Sequence, residues 1–102
     1  MEMTHDQFAY EVDRMVAAAR RVGIWPVGLV ITDAARPRWW KRRTIDHGRL
    51  VVYVKRASRE PAAIVADICR AIIRNGTAHL TPGDKVARAA ALRRIAAQDP
   101  TC

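Results

Sequence analysis

The sequence predicts a single-domain α+β protein with the element order α-β-β-β-α-α, in which helices cover one face of a small antiparallel sheet. Two observations predict this class. Three segments repeat apolar residues at helical spacing behind a capping signal, and three short segments rich in β-branched residues lie between the first and second of them. A chain of 102 residues can form one hydrophobic core, so we expect one domain over residues 1–97 and a flexible tail over 98–102.

The first helix is predicted from the capping box in Thr4-His5-Asp6-Gln7. There the Thr4 hydroxyl and the Gln7 amide can bond the free backbone amides at the helix start. The apolar residues that follow at helical spacing are Phe8, Val12, Met15, Ala19 and Val22. Gly23 is a residue type that commonly follows a helix end, so we expect the helix to close there.

A strand is predicted from Ile24 to Thr32, because the segment is apolar and rich in β-branched residues. Alternation would place Val27, Leu29 and Ile31 on one face and Gly28, Val30 and Thr32 on the other. Pro26 has no amide hydrogen for a neighbouring strand, so it belongs at the start of the strand or on a sheet edge.

A hairpin is predicted around Asp46-His47-Gly48, followed by a strand from Arg49 to Lys55. In this strand Leu50, Val52 and Val54 share one face. Residues 38–45 are ambiguous. If they form the partner strand, Trp39 and Trp40 must point to opposite faces, so that one indole is buried and the other exposed. The pattern leaves open which of the two is exposed.

Two further helices are predicted. Ser58 is a natural N-cap for the first, whose apolar stripe consists of Ile64, Val65, Ile68, Cys69 and Ile72. Asn75-Gly76 is expected to end it. The last helix starts at Thr81-Pro82-Gly83-Asp84 and turns Val86, Ala89, Leu92 and Ala96 in one direction. Because this helix is rich in alanine, it can pack closely on a neighbour or form a homodimer.

Positive charge is concentrated in one part of the chain. The formal net charge is +8, but residues 1–13 carry −4, while residues 14–59 carry twelve cations against Asp33 and Asp46. The segment from Arg36 to Arg43 alone holds five cations and two indoles. Guanidinium groups pair with phosphate or carboxylate, and indole faces stack on bases. The composition therefore predicts an anionic partner, and the plainer interpretation is a solvated, solubilising surface.

The leading functional hypothesis is a small nucleic-acid-binding or regulatory protein that contacts DNA or RNA. The residues expected to make the contacts are Arg36, Arg38, Trp39, Trp40, Lys41, Arg42, Arg43 and Arg49. Neutralising about five phosphates would give log K against log salt a slope of roughly −4 to −5. The alternative is a non-catalytic interaction or inhibitor module that binds an acidic protein surface through pairs between arginine and carboxylate groups.

The residues argue against an enzyme and against a bound cofactor or metal. His5, His47 and His79 lie on separate segments, and no glycine-rich phosphate loop or Gly-x-Ser-x-Gly motif is present. Cys69 falls inside an apolar helical stripe and Cys102 is the last residue, so no disulfide framework is expected. Since no apolar run approaches the roughly 20 residues that a membrane span requires, we expect a cytoplasmic protein.

The stretch from Trp40 to His79 resembles a degenerate minimal zincin of the SprT-like class. Gly48 to Val54 resembles the strand of that family, and Glu60 to Val65 resembles the entry to the helix that carries its H-E-x-x-H motif. Ala66-Asp67-Ile68-Cys69-Arg70 stands where that motif would lie, and His79 resembles the later metal ligand. The resemblance implies the same order of elements.

The chain departs from the zincin motif at the residues that zinc chemistry needs. A zinc hydrolase uses two neutral imidazoles one helical turn apart and a carboxylate that takes a proton from the bound water. Ala66 offers no ligand and Arg70 brings a cation, so only Asp67 and His79 remain. The resemblance therefore implies a binding scaffold rather than a protease.

The order α-β-β-β-α over residues 4–74 also resembles the double-stranded RNA-binding domain. The resemblance implies phosphate contacts at the start of the last of these helices. Lys55, Arg56 and Arg59 lie near that point, but the family's Lys-Lys-x-Ala-Lys pattern is missing.

Overall fold

The computed structural model describes residues 2–98 and contains three helices and three strands. In chain order the elements are α1 (His5–Arg21), β1 (Leu29–Thr32), β2 (Arg43–Asp46), β3 (Arg49–Tyr53), α2 (Pro61–Gly76) and α3 (Pro82–Ala96). The predicted α+β class and element order are confirmed. Of the tail predicted over 98–102, residues 99–102 lie outside the described residues. No helix within residues 2–98 is both long and apolar enough to cross a membrane.

The sheet is mixed rather than antiparallel, which corrects the prediction. Its strand order is β1-β3-β2, and β3 pairs antiparallel with β2 but parallel with β1. The prediction treated strands that follow one another in the chain as neighbours in the sheet. The central place goes to β3 because this strand is apolar on both faces, and its Val51 and Val52 are both buried.

The predicted hairpin between β2 and β3 is confirmed. Its turn consists of His47 and Gly48, with φ values of 50° and 77°. A two-residue type I′ turn requires positive φ at both positions, and glycine adopts this conformation without steric cost. Asp46 and Arg49 form the strand pair next to the turn.

Strand β1 is shorter than predicted, because residues 24–28 do not join the sheet. Ile24 is fully buried in the core, but Trp25 and Val27 are exposed. Only the end of this segment reaches β3, where the Gly28 carbonyl accepts a hydrogen bond from the Leu50 amide at 2.7 Å. The other end of the sheet also differs, since β3 ends at Tyr53 and not at Lys55 as predicted.

The core lies between the helices and one face of the sheet. Strand β3 and the residue that follows it contribute Val52 and Val54, with Leu29, Ile31 and Leu50 partly buried beside them. The buried residues of the stripes predicted on α1 and α2 are Phe8, Met15, Ala19, Ile64, Val65, Ile68, Cys69 and Ile72. Both stripes are therefore confirmed as core.

The predicted capping box at the start of α1 is confirmed. The Thr4 hydroxyl accepts a hydrogen bond from the Gln7 amide at 3.1 Å, and Gln7 Oε1 accepts one from the Thr4 amide at 2.8 Å. The Thr81 hydroxyl caps α3 in the same way by accepting from the Asp84 amide. These helix starts are encoded locally, in residues that are close together in the chain.

The N-cap predicted at Ser58 is wrong. Helix α2 begins at Pro61 with Glu60 as its N-cap, and Glu60 makes no side-chain capping bond. Ser58 instead has φ of 60°, and its amide donates a hydrogen bond to the Glu2 carboxylate at 2.9 Å. The turn at Ser58 is thus stabilised by a residue that lies near the start of the chain.

Helix α3 buries Ala89 and Leu92 but exposes 71% of Val86. The single apolar face predicted for this helix is therefore wrong at Val86. Since a helix has 3.6 residues per turn, Val86 lies about 120° around the axis from Leu92. A homodimer through α3 stays a prediction.

Gly76, the last residue of α2, lies against the segment that precedes β1. A Cβ atom at this position would overlap Ile24 Cγ2 and lie 3.2 Å from the backbone nitrogen of Pro26. Its place at the helix end was predicted. Close approach of the two segments, rather than a left-handed conformation, is the reason that a glycine is needed.

We expect Gly76→Ala to lower the free energy of unfolding by about 1–3 kcal/mol, because α2 must move away from Ile24 to admit the methyl group. The matched control is Gly83→Ala on α3, where nothing lies within 4 Å of the added Cβ. There the higher helix propensity of alanine should leave stability unchanged or raise it by about 1 kcal/mol. Denaturant unfolding measures both changes, and equal effects would contradict the expectation.

Candidate functional site

The strand order brings residues 36–43, called the basic segment below, across one edge of the sheet. Strands β1 and β3 are parallel and end at the same edge, and β2 begins there because it runs the opposite way. The connection from β1 to β2 must therefore pass the end of β3. Hydrogen bonds of 2.9 Å hold both of its ends, from the Val54 amide to the Thr32 carbonyl and from the Tyr53 amide to the Arg42 carbonyl.

A cleft of about 700 Å³ lies at this edge. Its walls come from four places in the chain: the segment after β1, the residue before β2, the end of β3 with the residues that follow, and the exposed side of α2 with the loop before it. Its charged lining consists of six cations and two carboxylates, namely Arg36, Arg42, Lys55, Arg56, Arg59, Arg70, Asp33 and Asp67. The cleft therefore has a net positive charge.

Asp67 gathers three of these cations around one carboxylate. Its Oδ1 accepts a hydrogen bond from Arg70 Nη1 at 2.7 Å, its Oδ2 lies 2.8 Å from Arg59 Nη1, and Arg42 Nη2 is 3.7 Å away. Partial burial by itself would raise the pKa of Asp67, but the hydrogen bonds and charges of Arg59 and Arg70 outweigh it and lower the pKa below its usual value. Asp67 is therefore ionised at neutral pH.

Asp33 forms the second ion-pair centre, and its side chain is only 7% exposed. His5 Nδ1 and Arg56 Nε both lie 2.8 Å from its Oδ2. Arg56 also donates from Nη1 to the Met3 carbonyl at 2.7 Å. Burial would raise the pKa of Asp33, but the hydrogen bonds from His5 and Arg56 outweigh it and lower the pKa. This cluster ties the residues before α1 to the cleft.

A second, smaller hollow of about 220 Å³ adjoins the cleft. The two share a wall that consists of Arg42, Tyr53, Val54, Asp67 and Arg70. Arg43 and Arg74 line the far side of the hollow and add two more cations. Together, the cleft and the hollow line one edge of the protein with eight cations against two carboxylates.

Both indoles of the basic segment are accessible to solvent, which corrects the expected alternation of Trp39 and Trp40. Trp39 is 86% exposed and Trp40 is 37% exposed. The alternation fails because β2 begins only at Arg43, so that neither tryptophan lies in a strand. Arg38 lies over the Trp39 ring, with its Cζ 5.2 Å from the ring centroid, while Trp40 packs edge-on against Tyr53.

The structure brings most of the predicted binding residues to one edge of the sheet and separates one from the rest. Arg36 and Arg42 line the cleft, and Arg43 lines the hollow. The other predicted residues of the connection, Arg38, Trp39, Trp40 and Lys41, are exposed between them. Arg49 begins β3 and therefore lies at the opposite end of the strand, about 13 Å from Tyr53.

The fold adds five further cations to this edge, namely Lys55, Arg56, Arg59, Arg70 and Arg74. The resemblance to the double-stranded RNA-binding domain pointed to the first three, but sequence reasoning missed Arg70 and Arg74 as binding residues. One signal was present in the sequence, since Arg70 and Arg74 are four residues apart and so share the side of α2 that is turned away from the apolar stripe. What was missing was the position of that side next to the basic segment.

The residues of the zincin resemblance are spread over α2 and the loop after it. Ala66 is exposed, Asp67 is held by arginines, and His79 is exposed in the loop between α2 and α3. Within residues 2–98, no three His, Cys, Asp or Glu side chains are close enough together to hold a metal ion.

Comparison of the chain with protein-family models, with curated proteins and with solved structures found no match. The resemblances to the zincins and to the double-stranded RNA-binding domain therefore stay predictions. The chemistry of the cleft and of its surroundings is the basis for a functional proposal.

We expect Asp33→Asn to lower the free energy of unfolding at pH 7 by about 1–3 kcal/mol, because Arg56 and His5 lose a charged partner. The pKa of Asp33 is lowered in the folded protein, so its contribution is complete above the ordinary aspartate pKa of 3.8 and is lost as the pH falls through the folded-state pKa. The difference between wild type and variant should therefore shrink below about pH 4.

The matched control for this experiment is Asp13→Asn, since Asp13 is exposed on α1 and forms no ion pair within residues 2–98. It should change the free energy of unfolding by about 0.5 kcal/mol or less. Denaturant unfolding at several pH values measures both variants. A destabilisation by Asp33→Asn that is the same at pH 7 and at about pH 2 would contradict the ion-pair explanation.

Proposed function

We propose that this protein binds single-stranded nucleic acid, with phosphates held by the cations of the cleft and the hollow and a base stacked on Trp39. The observation that carries the proposal is the arrangement of eight cations along one sheet edge, around two carboxylates and beside an indole that is 86% exposed. Backbone phosphates and unpaired bases need these two types of partner.

The charge of this edge supports the phosphate contacts. Four of the eight cations form no ion pair within residues 2–98, namely Arg36, Arg43, Lys55 and Arg74. A ligand can bind them without breaking one of the ion pairs described above. Cations grouped in a concave surface raise the local concentration of anions and speed their association.

Trp39 supports a single-stranded rather than a duplex ligand. Stacking on an indole requires a base whose face is free, as in an unpaired strand. Arg38 covers one face of the Trp39 ring, and the high exposure of the side chain leaves the other face open to a base. The indole has no partner in the core that would explain its position.

An acidic protein surface is the alternative ligand for the same cations. Carboxylates pair with guanidinium groups as phosphates do, but they offer no flat ring for Trp39. Competition separates the two cases. Polyglutamate and an unlabelled oligonucleotide are each used to displace a labelled oligonucleotide from the protein. If polyglutamate competes equally well, the protein partner is favoured.

We expect the protein to bind a 12-residue oligothymidylate with an affinity that depends strongly on salt. If five phosphates are neutralised, log K should fall with log salt at a slope of about −3.5 on a single strand. The double variant Arg42→Gln with Arg70→Gln removes two cleft cations and should make the slope shallower by about 1.4. Fluorescence anisotropy titrations at several salt concentrations measure these slopes.

The control for this prediction is the double variant Arg20→Gln with Arg21→Gln, which removes the same charge. These arginines end α1, about 24 Å along the helix axis from His5 at the cleft. The slope of the control should match that of the wild type. Equal losses in both double variants would point to unspecific attraction, and no binding at low salt would overturn the proposed function.

Trp39→Ala should weaken binding of the same oligonucleotide by about 1–3 kcal/mol, which is the usual contribution of one stacked base. Trp25→Ala is the matched control, because Trp25 is 57% exposed but precedes β1, away from the cleft. The control should bind like the wild type, with salt slopes unchanged in both variants. A similar loss for the two substitutions would rule out a specific stacking role for Trp39.

A further inference from the structure

We propose that the cleft receives the terminal phosphate monoester of a nucleic-acid strand, so that the protein binds strand ends in preference to strand interiors. This inference rests on the proposed function and specifies the part of the ligand that enters the cleft. Two features of the cleft carry it: walls that come from four chain segments, and a charge balance that favours a dianion over a monoanion.

The walls suit an end group better than the middle of a strand. The cleft of about 700 Å³ is partly open to solvent and is lined by the connection after β1, Arg42, residues 53–57 and the exposed side of α2. This volume is within the range of roughly 300–1,000 Å³ that is typical of small-molecule pockets. For an internal phosphodiester to reach the lining, the strand would have to leave the cleft on both sides of that phosphate, through gaps between these segments. A terminal phosphate brings one neighbour and needs one exit.

The charge balance depends on Asp67, which already neutralises part of the cleft. An incoming anion competes with this carboxylate for Arg59 and Arg70, which lie 2.8 and 2.7 Å from its oxygens. A phosphodiester has the same single charge as the carboxylate and gains little by replacing it. A phosphomonoester has a charge of about −1.5 to −2 at pH 7 and three strong acceptor oxygens. It therefore competes for these guanidinium groups where a diester does not.

The adjoining hollow gives the rest of the strand a path. It shares Arg42 with the cleft, and Arg43 and Arg74, which form no ion pair within residues 2–98, can bind the next phosphate. Trp39 belongs to the same connection as Arg42 and can stack a base of the strand outside the cleft. A strand whose end is in the cleft can thus use both neighbouring features.

The test compares oligothymidylates of twelve residues that differ only at one end. One pair carries a 5′-phosphate or a 5′-hydroxyl and a fluorophore at the 3′ end, and the second pair reverses the two ends. We expect the phosphate to tighten binding by about tenfold in one of the pairs, through the additional charge-assisted hydrogen bonds. The pair that responds identifies which strand end enters the cleft.

Two variants check that the cleft is responsible. Arg42→Gln changes a side chain that is 67% exposed, so folding should tolerate it, and it should reduce the preference for the phosphorylated end. Trp39→Ala should weaken both members of a pair equally and leave the preference unchanged. A preference that survives Arg42→Gln undiminished would move the terminal phosphate to another part of the surface and overturn the inference.

The remaining outcomes separate this inference from the proposed function. Equal affinity for phosphorylated and hydroxyl ends in both pairs would overturn the inference, while salt-dependent binding of all four oligonucleotides would still support nucleic-acid binding. No binding of any oligonucleotide at low salt would overturn both.

Discussion

The central position of β3 determines where the charged residues of this protein lie. With β1 and β2 on either side of it, the connection between them has to cross the end of β3, and this connection contains most of the basic segment. The parallel pairing of β1 with β3 also brings the residues that follow both strands to the same edge. Asp33 and Arg56 meet there, although they are 23 residues apart in the chain.

The cleft then depends on two carboxylates that hold cations from different parts of the chain in place. Asp67 contacts arginines from the residue before β2, from the loop before α2 and from α2 itself. Asp33 holds Arg56 next to the residues that precede α1. Like charges at this density would repel one another and spread apart, so the carboxylates keep the guanidinium groups close together.

The parts of the fold that were predicted correctly are those that neighbouring residues encode. The capping box at Thr4, the stripe through Ile64, Ile68 and Ile72, and the turn at His47-Gly48 each depend on residues within a few positions of one another. The parallel pairing of β1 with β3 could not be predicted in this way. It depends on a comparison of burial between distant strands, which local alternation does not contain.

The candidate site was predicted only in part for the same reason. Arg36, Arg42 and Arg43 were identified because they belong to one short basic segment, and the fold places them at one edge of the sheet. Arg49 is just as close in the chain, but the hairpin turn sends it to the far end of β3. Arg70 and Arg74 reach the edge only because α2 packs beside the sheet, and no spacing within the basic segment reveals this.

The contacts of Glu2 and Met3 with Ser58 and Arg56 also determine when the cleft can form during synthesis. The ribosome releases the N-terminal residues first, and their partners emerge more than fifty residues later. Until then the beginning of the chain has nothing to dock on, because Arg56, the cleft residue that bonds the Met3 carbonyl, has not been made. The cleft, whose lining extends to Arg70, is therefore completed only after α2 has been made, whereas α1, whose cap is entirely local, can form as soon as it leaves the exit tunnel.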